Sequence, residues 1–370
     1  MDFSRLDRKV IPAIPTWFKA DEAIAELDLS INRKYIKKLL DTPIGGVAAL
    51  VHTGRGNFLS EEERRIYLKM CSEIVHESGK ILITGVKNEV DAKMAAECGV
   101  DAVLVFPNRE ELGSLDNPDR MKIIISHHQK IARIHQNCII FLLYEATGIG
   151  IVYTQEEIRK LLSIENISGI KFALLSDFER LEDILASLLS LDKKFVLFTG
   201  EDRMFAESVE KVRDLTLRPD CCLKNTIRVN SLIGLGSALP WLQTFMLRNY
   251  DNPDHQRDYF RARALISDLA RNTFVRPRSE NTESPDYRLP MEPYIMNMSV
   301  ASGFQFGIGK HYIGDIALIK DERKKRGIPD IIARSLNGFH VVKQQQKIID
   351  IVNRGLKLEH EFKNKYGLKI

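Results

Sequence analysis

The sequence lacks several features that mark specialised classes of protein. Its 370 residues carry 54 basic and 50 acidic side chains, a net charge of only +4, so the broad positive surface of a nucleic-acid-binding protein is not expected. No apolar run approaches the roughly 18 residues needed to span a bilayer, and the N-terminal residues have no hydrophobic signal core. We therefore expect a cytoplasmic protein, without a membrane or nucleic-acid partner, that acts on a small molecule.

Cysteine is scarce and shows no pattern. The odd number of cysteines and the absence of a C-x-x-C pair argue against a disulfide framework and a zinc site; the five are Cys71, Cys98, Cys138, Cys221 and Cys222. His127, His128 and His135 lie close together, but their spacing fits no metal-binding motif, so we predict solvated helix histidines. The sequence therefore predicts neither a metal nor a cofactor.

Short β-rich apolar runs alternate with charged segments of helical periodicity from Val10 onward. This order is typical of βαβ units that build a parallel sheet. An open doubly wound sheet is the alternative, but no G-x-G-x-x-G motif follows the first run. We therefore predict an α/β fold of the (β/α)8 TIM-barrel type, with strands at residues 10–15, 46–52, 80–85, 102–107, 138–144, 168–171, 194–200 and 232–239.

The predicted barrel occupies residues 1–247, and a C-terminal helical region occupies residues 248–370. A polar stretch at 276–293, rich in Pro, Ser, Asn and Glu, is the best linker candidate within that region. The tail at 337–370 has apolar residues at helical spacing among many lysines. We expect an amphipathic helix packed on the barrel or on a neighbouring subunit, with a basic partner-binding tail as the alternative.

Two residues at predicted strand ends have the chemistry of a catalyst. Reacting groups in a TIM barrel come from the C-terminal ends of the strands and the loops that follow. Lys171 ends an apolar run, so burial should lower its pKa and give a neutral amine that attacks a ketone. The alternatives are a lysine that reaches solvent or pairs with Glu201 or Asp202, and a Tyr144 that is only a core tyrosine.

Five segments, in order over about residues 8–250, resemble motifs of the dihydrodipicolinate synthase and N-acetylneuraminate lyase family. LLYEATGIG and ENISGIKFALLSD resemble the motifs of the fifth and sixth strands, which carry the family's tyrosine and lysine. PAIPTWF, LVHTGRGNFLSEEER and FTGEDRM resemble its first-strand, threonine-loop and seventh-strand motifs. The resemblance implies a TIM barrel and a pyruvate-dependent class I aldolase.

The resemblance also implies residue roles. Lys171 becomes the catalytic Schiff-base lysine, and Tyr144 the catalytic phenol that relays protons. Thr53 becomes the anchor of the substrate carboxylate, together with the backbone of the substrate-binding loop that contains His52 and Gly54. His52 stands where the family has its first threonine, and an imidazole there is a candidate acid or base.

Other departures restrict the resemblance. Arg55 replaces the glutamate of the family's loop, and Asn108 and Arg109 replace two tyrosines, one of which interlocks the synthase dimer. The loop after Tyr144 has no arginine to bind an aldehyde substrate's carboxylate, which argues against the lysine-pathway synthase. Arg109 or Arg55 is a candidate for that substrate-binding role, because arginine binds a carboxylate with two hydrogen bonds; a structural ion pair is the alternative for Arg55.

The first functional hypothesis is therefore a Schiff-base-forming lyase, an aldolase, synthase or hydro-lyase, that acts on pyruvate or another 2-oxo acid. The alternative is a catalytically altered barrel that serves as a ligand-binding regulatory or scaffolding subunit. A phosphate-binding barrel enzyme is a third possibility. The resemblance implies a homo-oligomer, a dimer or tetramer, although the missing interface tyrosine leaves the particular dimer open.

Overall fold

The computed structural model describes residues 6–21, 24–114, 116–145, 149–174, 177–188, 193–216, 227–273, 291–308, 312–313 and 339–367. Its strands are β1 Val10–Pro12, β2 Phe18–Asp21, β3 Ile24–Leu27, β4 Gly46–Ala49, β5 Ile81–Val86, β6 Ala102–Val105, β7 Cys138–Leu143, β8 Ile167–Ala173, β9 Phe195–Thr199, β10 Ile227–Ile233 and β11 Tyr312–Ile313. Its helices are α1 Leu29–Leu40, α2 Glu61–Glu77, α3 Glu89–Glu97, α4 Arg109–Leu112, α5 Arg120–Ala132, α6 Gln155–Ser163, α7 Phe178–Leu188, α8 Phe205–Thr216, α9 Pro240–Asn249, α10 Gln256–Thr273, α11 Met291–Phe306 and α12 Phe339–Tyr366.

Eight of these strands form one parallel sheet in the order β1-β10-β9-β8-β7-β6-β5-β4. The two edges meet, because Ala13 bridges Ala48 in parallel and the Ile14 amide donates to the Ala48 carbonyl at 3.0 Å. The sheet is thus a barrel with helices alternating between its strands, and the predicted TIM barrel is confirmed. All eight strands point their C-terminal ends to one mouth, where the lysine strand β8 ends beside β7 and β9.

Seven predicted strands coincide with observed ones, and the eighth was misplaced. We predicted residues 232–239, whereas β10 is Ile227–Ile233 and the chain then forms a 3-10 turn at Leu235–Ser237. The apolar character of this stretch reflects burial of a turn, not a strand: Leu239 has a left-handed φ of 53° and Pro240 opens α9. The small antiparallel sheet β11-β2-β3 also had no counterpart in the prediction.

Two helices of the barrel begin with capping boxes. Ser60 Oγ accepts from the Glu63 amide at 3.2 Å, and the Glu63 carboxylate accepts from the Ser60 amide at 2.7 Å. Thr154 and Glu157 make the same reciprocal pair at the start of α6. Each pair satisfies two backbone donors that the first turn of a helix leaves free.

The three histidines were predicted as solvated, and this is wrong. His127, His128 and His135 are 5%, 1% and 6% exposed, and each ring hydrogen-bonds to a backbone carbonyl, of Phe106, Ile124 and Val100 respectively. Burial lowers their pKa values, so they act as neutral packing residues. Among the described residues no group of His, Cys, Asp or Glu is suited to hold a metal, and no helix is long and apolar enough to cross a membrane.

The C-terminal region is helical and packs on the barrel. The long helix α12 buries one face, and its Phe362 ring lies 4.7 Å from the ring of Phe245 on α9. The buried residues of that face are Ile348, Ile351, Val352, Leu358 and Phe362. The boundary placed at 247 falls within α9; of the linker candidate, residues 276–290 lie outside the described residues and 291–293 begin α11.

A buried carboxyl joins α12 to the barrel. Glu359 is 4% exposed and lies close to the backbone N–H groups of Trp241 and Leu242 at the N-terminus of α9. Burial raises the pKa of Glu359 from 4.5 to about 7, although Lys363, at 3.7 Å, opposes the shift. The folded protein therefore binds this proton more tightly than the unfolded chain does.

The contribution of Glu359 to stability is thus present below pH 4.5 and is lost as the pH rises through 7. We expect Glu359→Gln to remove this dependence, changing the difference in unfolding free energy between variant and wild type by about 2.5 kcal/mol from pH 5 to pH 8. Urea unfolding at the two pH values measures this. Glu361→Gln, on the exposed face of α12, is the control, and equal pH dependence in wild type and Glu359→Gln would contradict the assignment.

Candidate active site

Lys171 lies inside the barrel wall, on β8. Its neighbours in register are Phe141 on β7 and Phe198 on β9, and its Nζ lies 4.3 Å from the centre of the Phe141 ring. The residue is 7% exposed. Burial lowers the pKa of Lys171 from 10.5 to about 8, although Asp202 and Glu201 act in the opposite direction. A lysine in this setting holds roughly 300-fold more neutral amine at neutral pH than an ordinary one.

A glycine at the next strand end makes room for the lysine. A Cβ on Gly200 would lie 2.6 Å from Lys171 Cε and 2.6 Å from the Phe172 carbonyl oxygen. No larger residue fits there without moving the lysine or the strand. Gly200, which directly follows β9, therefore allows the amine to extend towards the mouth.

A cavity of about 50 Å³ surrounds the Lys171 amine. On the same measure a single water needs about 10–15 Å³, so the space suits a molecule of only a few heavy atoms. Its walls come from the mouth ends of five strands and from one residue of α11. The lining residues are His52, Thr53, Phe141, Leu143, Tyr144, Lys171, Ala173, Gly200, Glu201, Asp202, Arg203, Gly234 and Tyr294.

The structure brings Lys171 together with Tyr144 and Thr53, which were also singled out from the sequence. Tyr144 directly follows β7, with its amide bonded to the Ala173 carbonyl at 3.0 Å, and it lines the cavity beside Lys171. Thr53 is 6% exposed and lines the same cavity from the loop after β4. A phenol, a hydroxyl and an amine therefore meet at one small cavity.

Gly54 supports this loop and is not a lining residue. Its carbonyl accepts from Thr16 Oγ1 at 2.9 Å, and a Cβ there would lie 2.9 Å from the Leu50 amide nitrogen and 3.0 Å from the Ile14 carbonyl oxygen. Only glycine permits this close approach, which sets the position of Thr53.

His52 borders both this cavity and an adjoining pocket of about 410 Å³. Burial lowers the pKa of His52 to about 3, and the charges of Arg55 and Lys171 lower it further. Its Nε2 has no hydrogen-bond partner among the described residues. Such an imidazole stays neutral near pH 7, so His52 is suited to donate or accept a hydrogen bond rather than to act as an imidazolium acid.

The two arginine candidates lie outside the lysine cavity. Arg109 begins α4 and is half-buried, but it lines neither pocket. Arg55 is 5% exposed and borders only the adjoining pocket, where its guanidinium lies 5.8 Å from the centre of the Phe58 ring. Arg55 is therefore the nearer of the two to a ligand that extends past His52.

The acidic residues after β9 are held by the backbone. Asp202 Oδ1 accepts from the Leu235 amide at 2.6 Å, and the Glu201 carboxylate accepts from the Leu174 amide. Burial raises the pKa of Asp202, against the lowering effects of the Leu235 amide and of Lys171. The two carboxyls therefore line the cavity as fixed groups, and their charges do not outweigh the effect of burial on the pKa of Lys171.

Tyr294 is the lining residue that sequence reasoning missed. It lies on α11, is 3% exposed, and its hydroxyl faces the Asp202 carboxyl. Burial and the nearby carboxyl raise its pKa well above 10.0. Because it lies 60 residues beyond β10, at the edge of the predicted linker, no strand-end rule could identify it.

The comparisons with known proteins agree with this geometry. Residues 7–211, more than half of the chain, match the model of the dihydrodipicolinate synthetase family. The chain belongs to this family. The predicted resemblance is thereby confirmed at the level of the family.

The family relatives are distant. A 4-hydroxy-tetrahydrodipicolinate synthase of Kosmotoga olearia is 27% identical over 201 residues, which cover 53% of this chain and 64% of the relative. An uncharacterized DapA-like lyase of Chloroflexus aurantiacus is 26% identical over 206 residues, covering 55% and 66%. The chain thus spans slightly under two thirds of the length of these relatives.

Solved structures share the fold at low sequence identity. The sialic acid aldolase of Ruminococcus gnavus superposes with a TM-score of 0.67 at 14% identity, over 95% of this chain and 99% of that one. The dihydrodipicolinate synthase of Bacteroides thetaiotaomicron gives 0.65 at 14% identity, over 94% and 98%. These likenesses extend through the C-terminal helical region as well as the barrel.

The lowered pKa of Lys171 is directly measurable. We expect competitive acetylation with acetic anhydride, followed by peptide mass analysis, to give a titration midpoint near 8, because burial disfavours the ammonium form. Lys365, whose pKa is raised by hydrogen bonds to Asp258 and Tyr366, is the internal reference and should become reactive only at higher pH. A Lys171 midpoint at or above that of Lys365 would show that the amine is not desolvated.

Proposed function

We propose that the protein is a class I aldolase-type lyase that forms a Schiff base between Lys171 and pyruvate or another small 2-oxo acid. The observation that carries the proposal is the buried Lys171 amine, with a pKa of about 8, in a cavity that it shares with the Tyr144 phenol. Membership of the dihydrodipicolinate synthetase family supports it. A related fold, that of the Ruminococcus gnavus sialic acid aldolase, is described with a catalytic lysine.

The proposed reaction begins with attack of the neutral Lys171 amine on the C2 carbonyl of the 2-oxo acid. Tyr144 donates its proton to the carbonyl oxygen, and loss of water leaves a protonated imine. The positively charged nitrogen then accepts the electron pair of a bond at C3. Loss of a C3 proton gives an enamine that attacks an aldehyde; the reverse direction cleaves a carbon–carbon bond, and expulsion of a C4 hydroxyl from such an adduct gives dehydration.

Thr53 and the backbone of its loop are assigned to the substrate carboxylate. The loop position is fixed by Gly54, and the Thr53 hydroxyl faces the cavity from the side of β4. His52 contributes a neutral hydrogen-bonding group, consistent with its pKa of about 3. Arg55 is assigned to a ligand group that reaches the adjoining pocket, whereas the position of Arg109 outside both pockets weakens the case for it. Homo-oligomer formation stays a prediction from the family resemblance.

The proposal is tested by intact-mass analysis after incubation with pyruvate and sodium borohydride. Wild-type protein should gain the mass of one reduced pyruvate, because borohydride adds hydride to the imine carbon and makes the bond permanent. Lys171→Ala should gain nothing. Lys193→Ala, a lysine at the opposite end of the barrel bonded to backbone carbonyls, is the matched control and should behave as wild type.

Absence of an adduct with pyruvate and with larger 2-oxo acids would contradict the proposal. It would instead favour the alternative of a barrel that keeps the fold as a ligand-binding subunit. An adduct that persists in Lys171→Ala would show that another lysine is the nucleophile.

His52 should not set the pH dependence of adduct formation. Because its pKa is about 3, its protonation does not change between pH 5 and pH 8. We expect His52→Asn, which keeps a neutral hydrogen-bonding group, to shift the midpoint of the rate–pH profile by less than about half a pH unit. Loss of an ionisation near pH 6.5 in this variant would instead identify His52 as an acid–base group.

A further inference from the structure

Helix α11 closes the barrel mouth beside β10 and is fixed at several points along its length. Ser302 Oγ donates to the Tyr35 hydroxyl at 2.9 Å, and the Gln305 side chain accepts from the Leu239 amide at 2.7 Å. Nearer its start, Asn297 donates to the Thr273 carbonyl at 3.1 Å. These bonds tie α11 to α1, to the start of α9 and to the end of α10, so its cavity-facing residue has a defined position.

Tyr294 is that residue. It packs with Ile295 and Met298 in a small buried cluster separate from the main core. A Cβ on Gly234 would lie 2.8 Å from the Tyr294 hydroxyl oxygen, 3.0 Å from Thr53 Oγ1 and 3.3 Å from Met298 Sδ. The phenol hydroxyl and the proposed carboxylate anchor therefore flank the same point, and only a glycine leaves that point free.

The Asp202 carboxyl lies beside the phenol. It faces the Tyr294 hydroxyl and also accepts from the Leu235 amide at 2.6 Å. The ring is thus restrained by packing on the α11 side and borders a fixed carboxyl at its polar end.

The ring also accounts for the small size of the cavity. The space next to the Lys171 amine is about 50 Å³, and Tyr294 forms its wall where Asp202 and Gly234 meet. A molecule bonded to Lys171 can extend in that direction only by displacing a restrained aromatic ring. Pyruvate has no chain beyond C3, whereas each further methylene directed at this wall needs volume that the ring occupies.

We propose that Tyr294, positioned by the packing of α11, is the specificity-determining residue on this side of the cavity and disfavours 2-oxo acids with a longer chain. This inference rests on the proposed function, in that it takes Lys171 as the group that binds the carbonyl. It makes the C-terminal helical region a part of the active site, since α11 supplies one wall.

Two measurements test it on the full-length protein, with pyruvate and 2-oxohexanoate as probes. The first is borohydride trapping from an equimolar mixture, with the two adducts counted by intact mass. The second is the thermal shift that each acid produces without borohydride, which does not require a covalent bond. Wild type should favour pyruvate by at least tenfold in the first measurement, and only pyruvate should raise its Tm.

The variants are Tyr294→Ala, which removes the ring, and Tyr294→Leu, which keeps apolar packing against Ile295 and Met298 if the alanine variant does not fold. Either should move the adduct ratio at least tenfold towards 2-oxohexanoate. Tyr294→Phe keeps the ring and should keep the ratio. Gln305→Ala removes an anchor of the same helix without lining the cavity, and it should match wild type. Tyr35→Phe removes a buried hydroxyl elsewhere under α11 and should also match wild type.

An unchanged ratio in a folded Tyr294→Ala or Tyr294→Leu that still forms the pyruvate adduct would overturn the inference and leave the proposed function intact. A ratio that changes equally in Gln305→Ala would also overturn it, because general loosening of α11 would then explain the effect. A third outcome is that neither wild type nor any variant forms an adduct, while 2-oxohexanoate raises the Tm of Tyr294→Ala. The Schiff base would then be wrong and the size limit would stand.

Discussion

The desolvation of one amine is the constraint on which the site depends. Lys171 stands in a barrel wall between two phenylalanines of adjacent strands, and the lysine loses the water that would stabilise its charge. An acidic partner close enough to form a tight ion pair would reverse this effect. The carboxyls of Glu201 and Asp202 are instead held by backbone amides of Leu174 and Leu235, so burial is the larger influence on the pKa.

The remaining parts of the mouth follow from the space that this amine needs. Gly200 gives the lysine room to extend, and Gly234 leaves free the point between Thr53 and Tyr294. The C-terminal helices complete the enclosure: α11 supplies Tyr294, and α12 packs on α9 through aromatic rings and the buried Glu359. The barrel and the helical region thus form one continuous structure around the candidate site.

Much of this arrangement could be predicted from the sequence, and the reasons for the failures are physical. Lys171 and Tyr144 follow from the rule that strand ends converge at one mouth, and Thr53 follows from the resemblance to the family's threonine loop. Tyr294 is brought there by a long-range fold of the C-terminal region, which local periodicity does not report. The apolar run after Ile233 predicts a strand but forms a turn, because a buried turn and a buried strand have the same apolar composition. The prediction of solvated histidines is wrong because backbone carbonyls, which no sequence motif shows, accept hydrogen bonds from the three buried rings.

The central claim is that the Lys171 nitrogen forms a covalent bond with the carbonyl carbon of a 2-oxo acid. It is tested most directly by NMR on protein with 15N in its lysine side chains, mixed with pyruvate labelled with 13C at C2. The account predicts an imine carbon signal split by one-bond coupling to 15N in the wild type and absent from Lys171→Ala. A wild-type spectrum that shows only the signals of free pyruvate and its hydrate, at a pH above 8 where the amine is neutral, would contradict it.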